Sequence, residues 1–348
     1  MKKRILSLAL AVLCLMAAVV LPACGGVDAD KKLPVVCGET GMTEQCGVAT
    51  YGVNYYSLGV KAGDMAADIL LNGADPATMP VATDPNPALT VNKAVAEEIG
   101  FTIPQAILDR VQGDGKIEEV TRVTSAIVES GADFTVGILQ LVQHVALDQS
   151  NKGFQDQLSA RMAAAGKTVT ILDRNASGEE SNNITIAENF VNQNVDLIYT
   201  IATSSSTAAA SATKENKIPV LFCAVTDPVG EKLVESMEVP GGNVSGVSDI
   251  NPVAKQIELC GELVGKDAIK VGFLYTAGEP NSVYQVGLGK TACLDLGYTC
   301  VERGMADIND LESAFLALKN AGVDIIYIPT DNTLANGAAN VHIVNKGA

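Results

Sequence analysis

Polar residues follow two apolar runs near the middle of the chain. Residues 195–201 and 218–225 are rich in branched side chains, which is typical of strands buried on both faces of a parallel sheet. The polar residues that follow these runs are Thr203, Ser204, Ser205, Thr226 and Asp227. Because ligands bind beyond the carboxyl ends of such strands, we expect these residues to line a binding site. Hydroxyl groups and free amides before a helix suit a carboxylate, although the same residues can simply cap the helix.

Polar residues also follow the other predicted strands. These further candidates are Glu39, Gln140, His144, Asn281, Ser282, Asp331 and Asn332. Asp331 begins a predicted helix, so it either caps that helix or accepts a hydrogen bond from a ligand ammonium group. Hydroxyl-rich and acidic loops on opposite sides of a cleft are compatible with a zwitterion. Amide and acidic side chains also bind hydroxyl groups, so a sugar or a nucleoside is an alternative small-molecule ligand.

Nothing in the sequence of these loops has the pattern of an enzyme. No nucleophile, base and acid are grouped, and Gly241-Gly242 does not open a helix after a strand as a phosphate-binding loop does. The two histidines, His144 and His342, are far apart, and the cysteine spacing is not that of a zinc site. We therefore expect a binding protein without catalytic residues, metal or cofactor.

The composition indicates a folded protein that does not bind nucleic acid. The 348 residues are 47% hydrophobic and 18% charged, and 32 of them are glycine, which is typical of a well-buried α/β protein with two lobes. The formal net charge of -16 repels nucleic acid and anionic lipid. We expect no nucleic-acid partner, and we expect the protein to act as a monomer.

The N-terminus has the pattern of an exported lipoprotein. Basic residues at positions 2–4 precede the apolar stretch 5–21, so residues 1–23 are predicted to be a signal peptide. The motif LPACGG resembles a bacterial lipobox and predicts a lipid on Cys24, followed by a tether over residues 24–33. Acyl chains on Cys24 would anchor the protein to the outer face of the cell membrane. The alternative is an ordinary secretory signal with an incidental cysteine.

Six cysteines follow Cys24 in the sequence. Two pairs are close along the chain, Cys37 with Cys46 and Cys293 with Cys300, so each pair could form a local disulfide after export. Buried free thiols are the equal alternative. Both states remain open at this point.

Six short motifs occur in order from residue 134 to the C-terminus. They are 137–140 (GILQ), 196–198 (DLI), 225–229 (VTDPV), 240–249 (PGGNVSGVSD), 278–282 (GEPNS) and 329–333 (PTDNT). With these motifs the chain resembles the family of ABC-transporter substrate-binding lipoproteins, several of which are associated with aromatic amino-acid uptake. The resemblance implies the type I periplasmic-binding-protein fold, in which two Rossmann-like lobes with parallel sheets close about a hinge. It also implies an amino acid as the favoured ligand and an ABC permease as the partner, with a ligand sensor as the alternative.

The order of the segments differs from that of the family. Residues 34–110 resemble the segment that comes last in family members, so the chain is predicted to be circularly permuted. The alternative is a rearranged gene or an error in gene assembly whose product folds poorly. The expected segments of lobe two are 34–51, 88–111 and 250–348, and those of lobe one, with the hinge crossings, are 52–87 and 134–249. Residues 112–133 are charged and weakly patterned, and we expect them to link the two former termini.

Overall fold

The computed structural model describes residues 32–111 and 119–347. The strands of these residues are β1 (Val35–Cys37), β2 (Ala49–Gly52), β3 (Ala88–Val91), β4 (Phe134–Gln140), β5 (Val169–Asn175), β6 (Leu197–Ile201), β7 (Val220–Val225), β8 (Val244–Ser248), β9 (Lys270–Thr276), β10 (Thr299–Met305) and β11 (Ile325–Ile328). The helices are α1 (Thr40–Gln45), α2 (Tyr55–Asn72), α3 (Lys93–Glu98), α4 (Gln105–Leu108), α5 (Val145–Ala164), α6 (Glu180–Asn192), α7 (Thr203–Ala212), α8 (Val253–Val264), α9 (Pro280–Asp295), α10 (Leu311–Asn320), α11 (Asn332–Asn336) and α12 (Ala338–Lys346).

The strands form two sheets, and each sheet is the centre of one lobe. The lobe-one sheet has the order β5-β4-β6-β7-β8 and is parallel throughout. The lobe-two sheet has the order β10-β9-β11-β1-β2-β3, in which β3 runs antiparallel to β2 while the other pairs are parallel. The predicted α/β class with two parallel-sheet lobes, the architecture of the type I periplasmic binding proteins, is therefore confirmed.

The central strands are buried because they are apolar on both faces. Every residue of β6, β7 and β11 is buried. Phe154 of α5 stacks on Tyr199 of β6 with the ring centroids 3.8 Å apart, which fixes the helix against the sheet. Close packing of this kind gives the strand ends a rigid support.

Helix α2 belongs to lobe one, although it lies between β2 and β3 in the chain. It packs along α5, and two glycines let the helix backbones approach each other closely. A Cβ atom added at Gly59 would lie 2.1 Å from the Ser150 carbonyl oxygen, and one added at Gly153 would lie 2.2 Å from the Tyr56 carbonyl oxygen. This approach joins the segment 55–72 to the lobe that contains β4 to β8.

Three short segments cross between the lobes. They are 52–54, 83–87 and 249–251. Asn251 Oδ1 accepts a hydrogen bond from Val53 N at 3.1 Å, and Asp84 Oδ2 accepts one from Asn54 N at 3.3 Å. Crossing segments that bind one another between two separately packed lobes form a hinge.

Strand β1 lies between β11 and β2, next to the C-terminal helix α12. Val36 pairs with Tyr327 in parallel register. The backbone of Leu33 makes two hydrogen bonds to the Asn345 side chain: Leu33 N donates to Oδ1 at 3.0 Å, and Leu33 O accepts from Nδ2 at 2.7 Å. The strand that follows α12 in space is therefore β1, which comes first in the chain among the strands of the described residues.

Part of the segment predicted to be a linker packs on lobe one. Residues 112–118 lie outside the described residues, whereas Ala126 is buried in the lobe-one core. Val128 N donates a hydrogen bond to Val169 O at 3.1 Å, beside the edge strand β5. The structure thus differs from the linker boundary predicted at residue 133, because a few apolar residues in a weakly patterned segment are enough to hold it on the lobe.

The described cysteines are free thiols. Cys37 Sγ and Cys46 Sγ lie 3.8 Å apart, in contact but not bonded. Burial, followed by the neighbouring Cys46, raises the pKa of Cys37 well above its usual value, so that this thiol stays protonated. Of the two states left open by the sequence, the structure contains the reduced one.

The predicted signal peptide (1–23), Cys24 and residues 24–31 of the tether lie outside the described residues. Within residues 32–111 and 119–347, no helix has the length and apolar character needed to cross a bilayer. The signal peptide and the lipid anchor therefore stay predictions.

Candidate functional site

The N-terminus of α7 is uncapped and begins after a strained residue. Ala202, between β6 and α7, has φ 86° and ψ 160°, a conformation that residues other than glycine rarely adopt. No side chain caps the helix, and the amides of its first three residues, 203–205, have no partner within the helix, whereas Ser206 N donates to Ala202 O at 3.1 Å. These amides, together with the partial positive charge of the helix end, are therefore available to an anion.

Three residues with hydroxyl groups were predicted to line the site at this helix end, and the hydroxyls of two of them have no hydrogen-bond partner among the described residues. Ser205 Oγ donates to Asn183 Oδ1 at 2.8 Å, so its hydroxyl faces the interior of lobe one. Thr203 is 4% exposed and Ser204 is half-buried, and neither hydroxyl is hydrogen-bonded to another described residue. Thr203 and Ser204 thus remain candidates for a ligand contact, whereas Ser205 supports the helix.

Asp249 follows β8 at the hinge and is buried, with 2% exposure. Its Oδ2 accepts a hydrogen bond from Tyr55 Oη at 2.7 Å, and its Oδ1 accepts one from Thr226 Oγ1 at 3.1 Å. Burial raises the pKa of Asp249, since two neutral hydroxyls compensate a buried carboxylate only in part. Asp249 is not among the site residues predicted from the sequence, where its only signal was a position after a strand.

Thr226 and Asp227 follow β7 beside Asp249. Thr226 also reaches lobe two, because Gln285 Nε2 donates to Thr226 Oγ1 at 3.4 Å. Asp227 Oδ1 accepts a hydrogen bond from Gly230 N at 2.9 Å and so holds the turn that follows. The structure favours the capping alternative for Asp227 and places Thr226 between the two lobes.

Glu39 follows β1 and caps α1. Its carboxylate accepts hydrogen bonds from Gly41 N and Met42 N, both at 2.5 Å, and it is 1% exposed. Burial raises its pKa to about 7, and the negative charges of Glu44 and Asp249 add to the rise. Glu39 and Asp249 thus place two buried carboxyl groups near the hinge. Within the described part of the chain, no basic side chain forms an ion pair with either.

Gln140 ends β4, and its side chain is held inside lobe one. Its Nε2 donates to Asp148 Oδ1 at 2.7 Å, and its Oε1 accepts from Asn151 Nδ2 at 3.0 Å. These three side chains line a polar groove of about 580 Å³. The other lining residues are Arg122, Gln143, Lys152, Gln155, Asp173 and Asn175. All of them belong to lobe one, so the groove is distinct from the space between the lobes.

Asp331 caps α11 and is 1% exposed. Its carboxylate accepts four hydrogen bonds, from Thr276 N (2.6 Å), Thr276 Oγ1 (2.9 Å), Ser282 Oγ (2.9 Å) and Leu334 N (2.8 Å). Burial, followed by the charge of Glu279, raises its pKa to about 7. These bonds occupy the Asp331 carboxylate and bind Ser282 to it, so the structure favours capping over an ammonium contact.

The other predicted residues of lobe two lie at the rim. Asn281 Nδ2 donates to Thr330 O at 2.6 Å, within the same lobe. Asn332 Oδ1 lies 3.3 Å from Nε2 of His144, which belongs to lobe one. The structure therefore brings His144 and Asn332 together across the cleft and keeps Asn281 within lobe two.

Three of these polar residues form one row at the carboxyl ends of the lobe-one strands. Strands β6, β7 and β8 are adjacent, and they lead to Thr203, Thr226 and Asp249 respectively. Neighbouring strands lie about 5 Å apart, so the α7 N-terminus and Asp249 are separated by roughly 10 Å along this edge. An anion-binding end and an acidic end at this separation suit a small molecule with one negative and one positive group.

The two-lobed fold agrees with the sequence comparison. The sequence model of the family described as ABC transporter substrate binding protein matches residues 21–113 and 135–348. The chain belongs to this family, which confirms the resemblance drawn from the six motifs.

Individual relatives match about three fifths of the chain. A tyrosine-binding protein of Clostridioides difficile (strain R20291) is 39% identical over 213 residues, which are 61% of this chain and 60% of that protein. The ABC domain from Streptococcus pneumoniae in complex with L-Trp has a TM-score of 0.55 at 35% identity. A conserved domain protein from Vibrio cholerae has a TM-score of 0.55 at 36% identity. Each of these two structures is matched over 62% of this chain and 71% of its own chain. This chain spans less than two thirds of the length of the C. difficile protein.

Proposed function

We propose that the protein is the solute-binding component of an ABC importer, and that it binds an amino acid between its lobes and delivers it to a membrane permease. The observation that carries the proposal is the row formed by the uncapped α7 N-terminus and the buried Asp249. The chain belongs to a family of binding proteins and not to a class of enzymes. One similar protein is named a tyrosine-binding protein and another has been solved in complex with L-Trp, so an aromatic amino acid is the favoured ligand.

The ligand carboxylate is assigned to the N-terminus of α7. Amide groups and the helix dipole favour an anion there, and the hydroxyls of Thr203 and Ser204 add two donors. A hydrogen bond to a charged group contributes about 1.5–3 kcal/mol. Two or three such bonds are enough to orient a small ligand.

The ligand ammonium group is assigned to Asp249, with Glu39 nearby. A buried carboxylate is unfavourable unless a positive group pairs with it. Since no basic side chain of the described residues fills that role, the ligand supplies the positive charge when the cleft closes. The α7 N-terminus and Asp249 are separated by roughly 10 Å, which is two strand spacings. One hydrogen bond of about 2.9 Å at each end, with the carboxylate, α-carbon and ammonium group of an amino acid between them, fits this distance.

Replacing Thr203 by valine tests the carboxylate end of the site. Thr203→Val keeps the shape of the side chain and removes the hydroxyl, so we expect the affinity for L-tyrosine to fall roughly tenfold. Isothermal titration calorimetry measures the change. Ser211→Ala, at the exposed end of the same helix, is the matched control and should leave the affinity unchanged. Equal affinities in the two variants would place the carboxylate elsewhere.

The ligand class is tested by a thermal-shift screen of the protein against the twenty amino acids, sugars and nucleosides. A ligand present at 100 times its Kd stabilises the folded protein by about 2.7 kcal/mol. We expect an aromatic L-amino acid to give the largest shift and to be recovered unchanged. A larger shift with a sugar or nucleoside would favour that alternative, and a chemically altered ligand would favour an enzyme.

We also propose that the protein acts outside the cytoplasm as a monomer anchored by a lipid on Cys24. The basic residues 2–4, the apolar stretch and the LPACGG motif support the anchor. One chain supplies both lobes of the cleft, so binding needs no second copy. Mass spectrometry of the membrane fraction should find a mature N-terminus at an acylated Cys24, and an unmodified N-terminus would contradict the anchor.

The order of the segments supports a circular permutation, which we also propose. Strand β1 pairs with β11, and Leu33 is hydrogen-bonded to Asn345, so α12 and β1 are consecutive in space but not in the chain. Segments from both sides of residues 112–118 contribute to each lobe. The family model matches residues on both sides of the same segment.

A chain rejoined in the proposed ancestral order should fold and bind as this protein does. In that chain residues 119–347 come first, and a short glycine-serine linker joins Gly347 to Leu33. Because Leu33 already contacts Asn345, we expect the ligand affinity to stay within about twofold. Thermal unfolding and calorimetric titration check the result. Aggregation of the rejoined chain with two different linker lengths would argue against the permutation.

A further inference from the structure

One rim of the cleft is closed by contacts between the two lobes. His144 Nε2 lies 3.3 Å from Asn332 Oδ1. His144 precedes α5 of lobe one, and Asn332 is the first residue of α11 of lobe two. Beside this pair Val145 packs against Gly41 of α1, where an added Cβ atom would lie 3.1 Å from Val145 Cβ. Protein atoms alone therefore hold the two lobes together on this side.

The Asn332 side chain is oriented by its own lobe. Glu279 Oε2 accepts hydrogen bonds from Asn332 N and Asn332 Nδ2, both at 2.8 Å. Glu279 Oε1 accepts from Thr333 N at 2.9 Å and from Thr333 Oγ1 at 2.7 Å. An ionised carboxylate only accepts, so Asn332 Nδ2 faces Glu279 and Oδ1 faces lobe one. The acceptor is thus in place before the lobes meet.

His144 supplies the matching donor from lobe one. Because Asn332 Oδ1 only accepts, Nε2 of His144 has to carry the hydrogen. Burial lowers the pKa of His144, while the bond to Asn332 and the charges of Asp148 and Glu279 act in the opposite direction. The neutral ring therefore donates to Asn332 across the cleft.

We propose that His144 and Asn332 form a latch that stabilises the closed cleft and sets how long a ligand stays bound, without contacting the ligand. The inference rests on the proposed function, which supplies the ligand. Opening the hinge separates the pair because each residue belongs to a different lobe, and a ligand enclosed between the lobes leaves only after opening. Loss of the latch should therefore raise the dissociation rate and leave ligand preference unchanged.

The test compares His144→Ala, Asn332→Ala and the double variant by stopped-flow fluorescence. The protein contains no tryptophan, so bound L-tryptophan is a clean reporter of dissociation. We expect each single variant to release L-tryptophan about fivefold faster, the effect of one neutral hydrogen bond, and the double variant to be no faster than the singles. The affinity ratio of L-tyrosine to L-tryptophan should not change.

Two further variants serve as controls. Gln143→Ala, next to His144, removes an exposed side chain with no hydrogen bond to another described residue and should behave as wild type. His144→Gln keeps an N–H donor on a side chain of similar reach and should restore most of the slow dissociation. The latch would be overturned if the increase in dissociation rate of the double variant equalled the product of the two single increases. A changed affinity ratio of L-tyrosine to L-tryptophan in His144→Ala would also overturn it.

Measurements on the ligand-free protein distinguish a failure of the latch from a failure of the proposed function. If the wild type binds neither amino acid, the proposed ligand class is wrong, and small-angle scattering then tests the latch alone. A larger radius of gyration in His144→Ala and Asn332→Ala than in the wild type would support the latch. Equal radii would refute it.

Discussion

Asp249→Asn is expected to abolish tight amino-acid binding and to leave the fold intact. Asparagine keeps the size of the side chain and one acceptor for the hydroxyls of Tyr55 and Thr226, but it has no charge to pair with an ammonium group. Removing one partner of a buried, hydrogen-bonded charge pair costs about 2–5 kcal/mol, so the affinity for L-tyrosine should fall by at least roughly 30-fold. Calorimetric titration of wild type and variant measures the loss.

The melting temperature of the ligand-free variant separates loss of binding from loss of structure. Asp249 is a buried acid whose pKa burial raises, so a neutral amide should leave the ligand-free protein as stable as before, or more stable. Asp227→Asn is the matched control, since Asp227 follows the neighbouring strand and holds Gly230 N. We expect that control to change the affinity by less than about threefold. Equal losses of affinity in the two variants would show that Asp249 has no special role.

Gly153→Ala is expected to destabilise lobe one strongly. A Cβ atom at this position would lie 2.2 Å from the Tyr56 carbonyl oxygen and 3.1 Å from Val60 N. Both contacts are to the backbone of α2, so the two helices have to move apart, and Phe154 then loses its fit against Tyr199. Overpacking typically costs about 1–3 kcal/mol, and we expect the upper end because backbone has to shift. Denaturant unfolding followed by circular dichroism measures the change in the free energy of unfolding.

Gly287→Ala is the matched control for this substitution. Gly287 also lies within a helix, α9, and a Cβ atom there would meet no atom within 4 Å. Alanine favours the helix over glycine by up to about 1 kcal/mol, so the control should be as stable as wild type or slightly more stable. If Gly153→Ala were equally stable, α2 would not pack closely on α5, and the placement of residues 55–72 in lobe one would lose its main support.

The hydrophobic pattern was sufficient to predict the two central strands β6 and β7. The continuous apolar runs that predicted strands at 195–201 and 218–225 contain β6 and β7, with a shift of about two residues at their starts. Such ends depend on which backbone groups find a partner in the neighbouring strand, and that information lies elsewhere in the chain. The helix predicted to begin at Asp331 is divided at Gly337 into α11 and α12, and the side chain of Ile308 would be 2.6 Å from a Cβ atom added at Gly337.

The roles of the acids could not be predicted in the same way. Asp331 begins a helix after a strand, and a ligand contact was as reasonable from sequence as a cap. Its donors Thr276 and Ser282 come from a segment about fifty residues earlier, and only the folded lobe brings them together. Asp249 follows β8 at the hinge, and this position alone did not predict a buried acid, because its hydroxyl partners Tyr55 and Thr226 come from other segments of the chain.

Helix α1 was also missed, for a related reason. Glu39 was predicted only as a polar residue that follows a strand, but it caps a six-residue helix. Helices this short are not stable by local propensity, so α1 depends on its cap and on the burial of Met42 against lobe two. Sequence patterns therefore indicated at which ends of the strands the candidate polar residues lie, but not which of these residues are already hydrogen-bonded within the protein.

The most direct test of the central claim is calorimetric titration of the wild-type protein with L-tyrosine and with two analogues that each lack one charge. Tyramine has no carboxylate, and 3-(4-hydroxyphenyl)propionate has no ammonium group. We predict saturable binding of one L-tyrosine per chain, with both analogues bound at least about 30-fold more weakly, because each leaves one end of the row unpaired. Equal affinity for either analogue, or no binding of L-tyrosine or any other amino acid, would contradict a site built to hold a zwitterion between the two lobes.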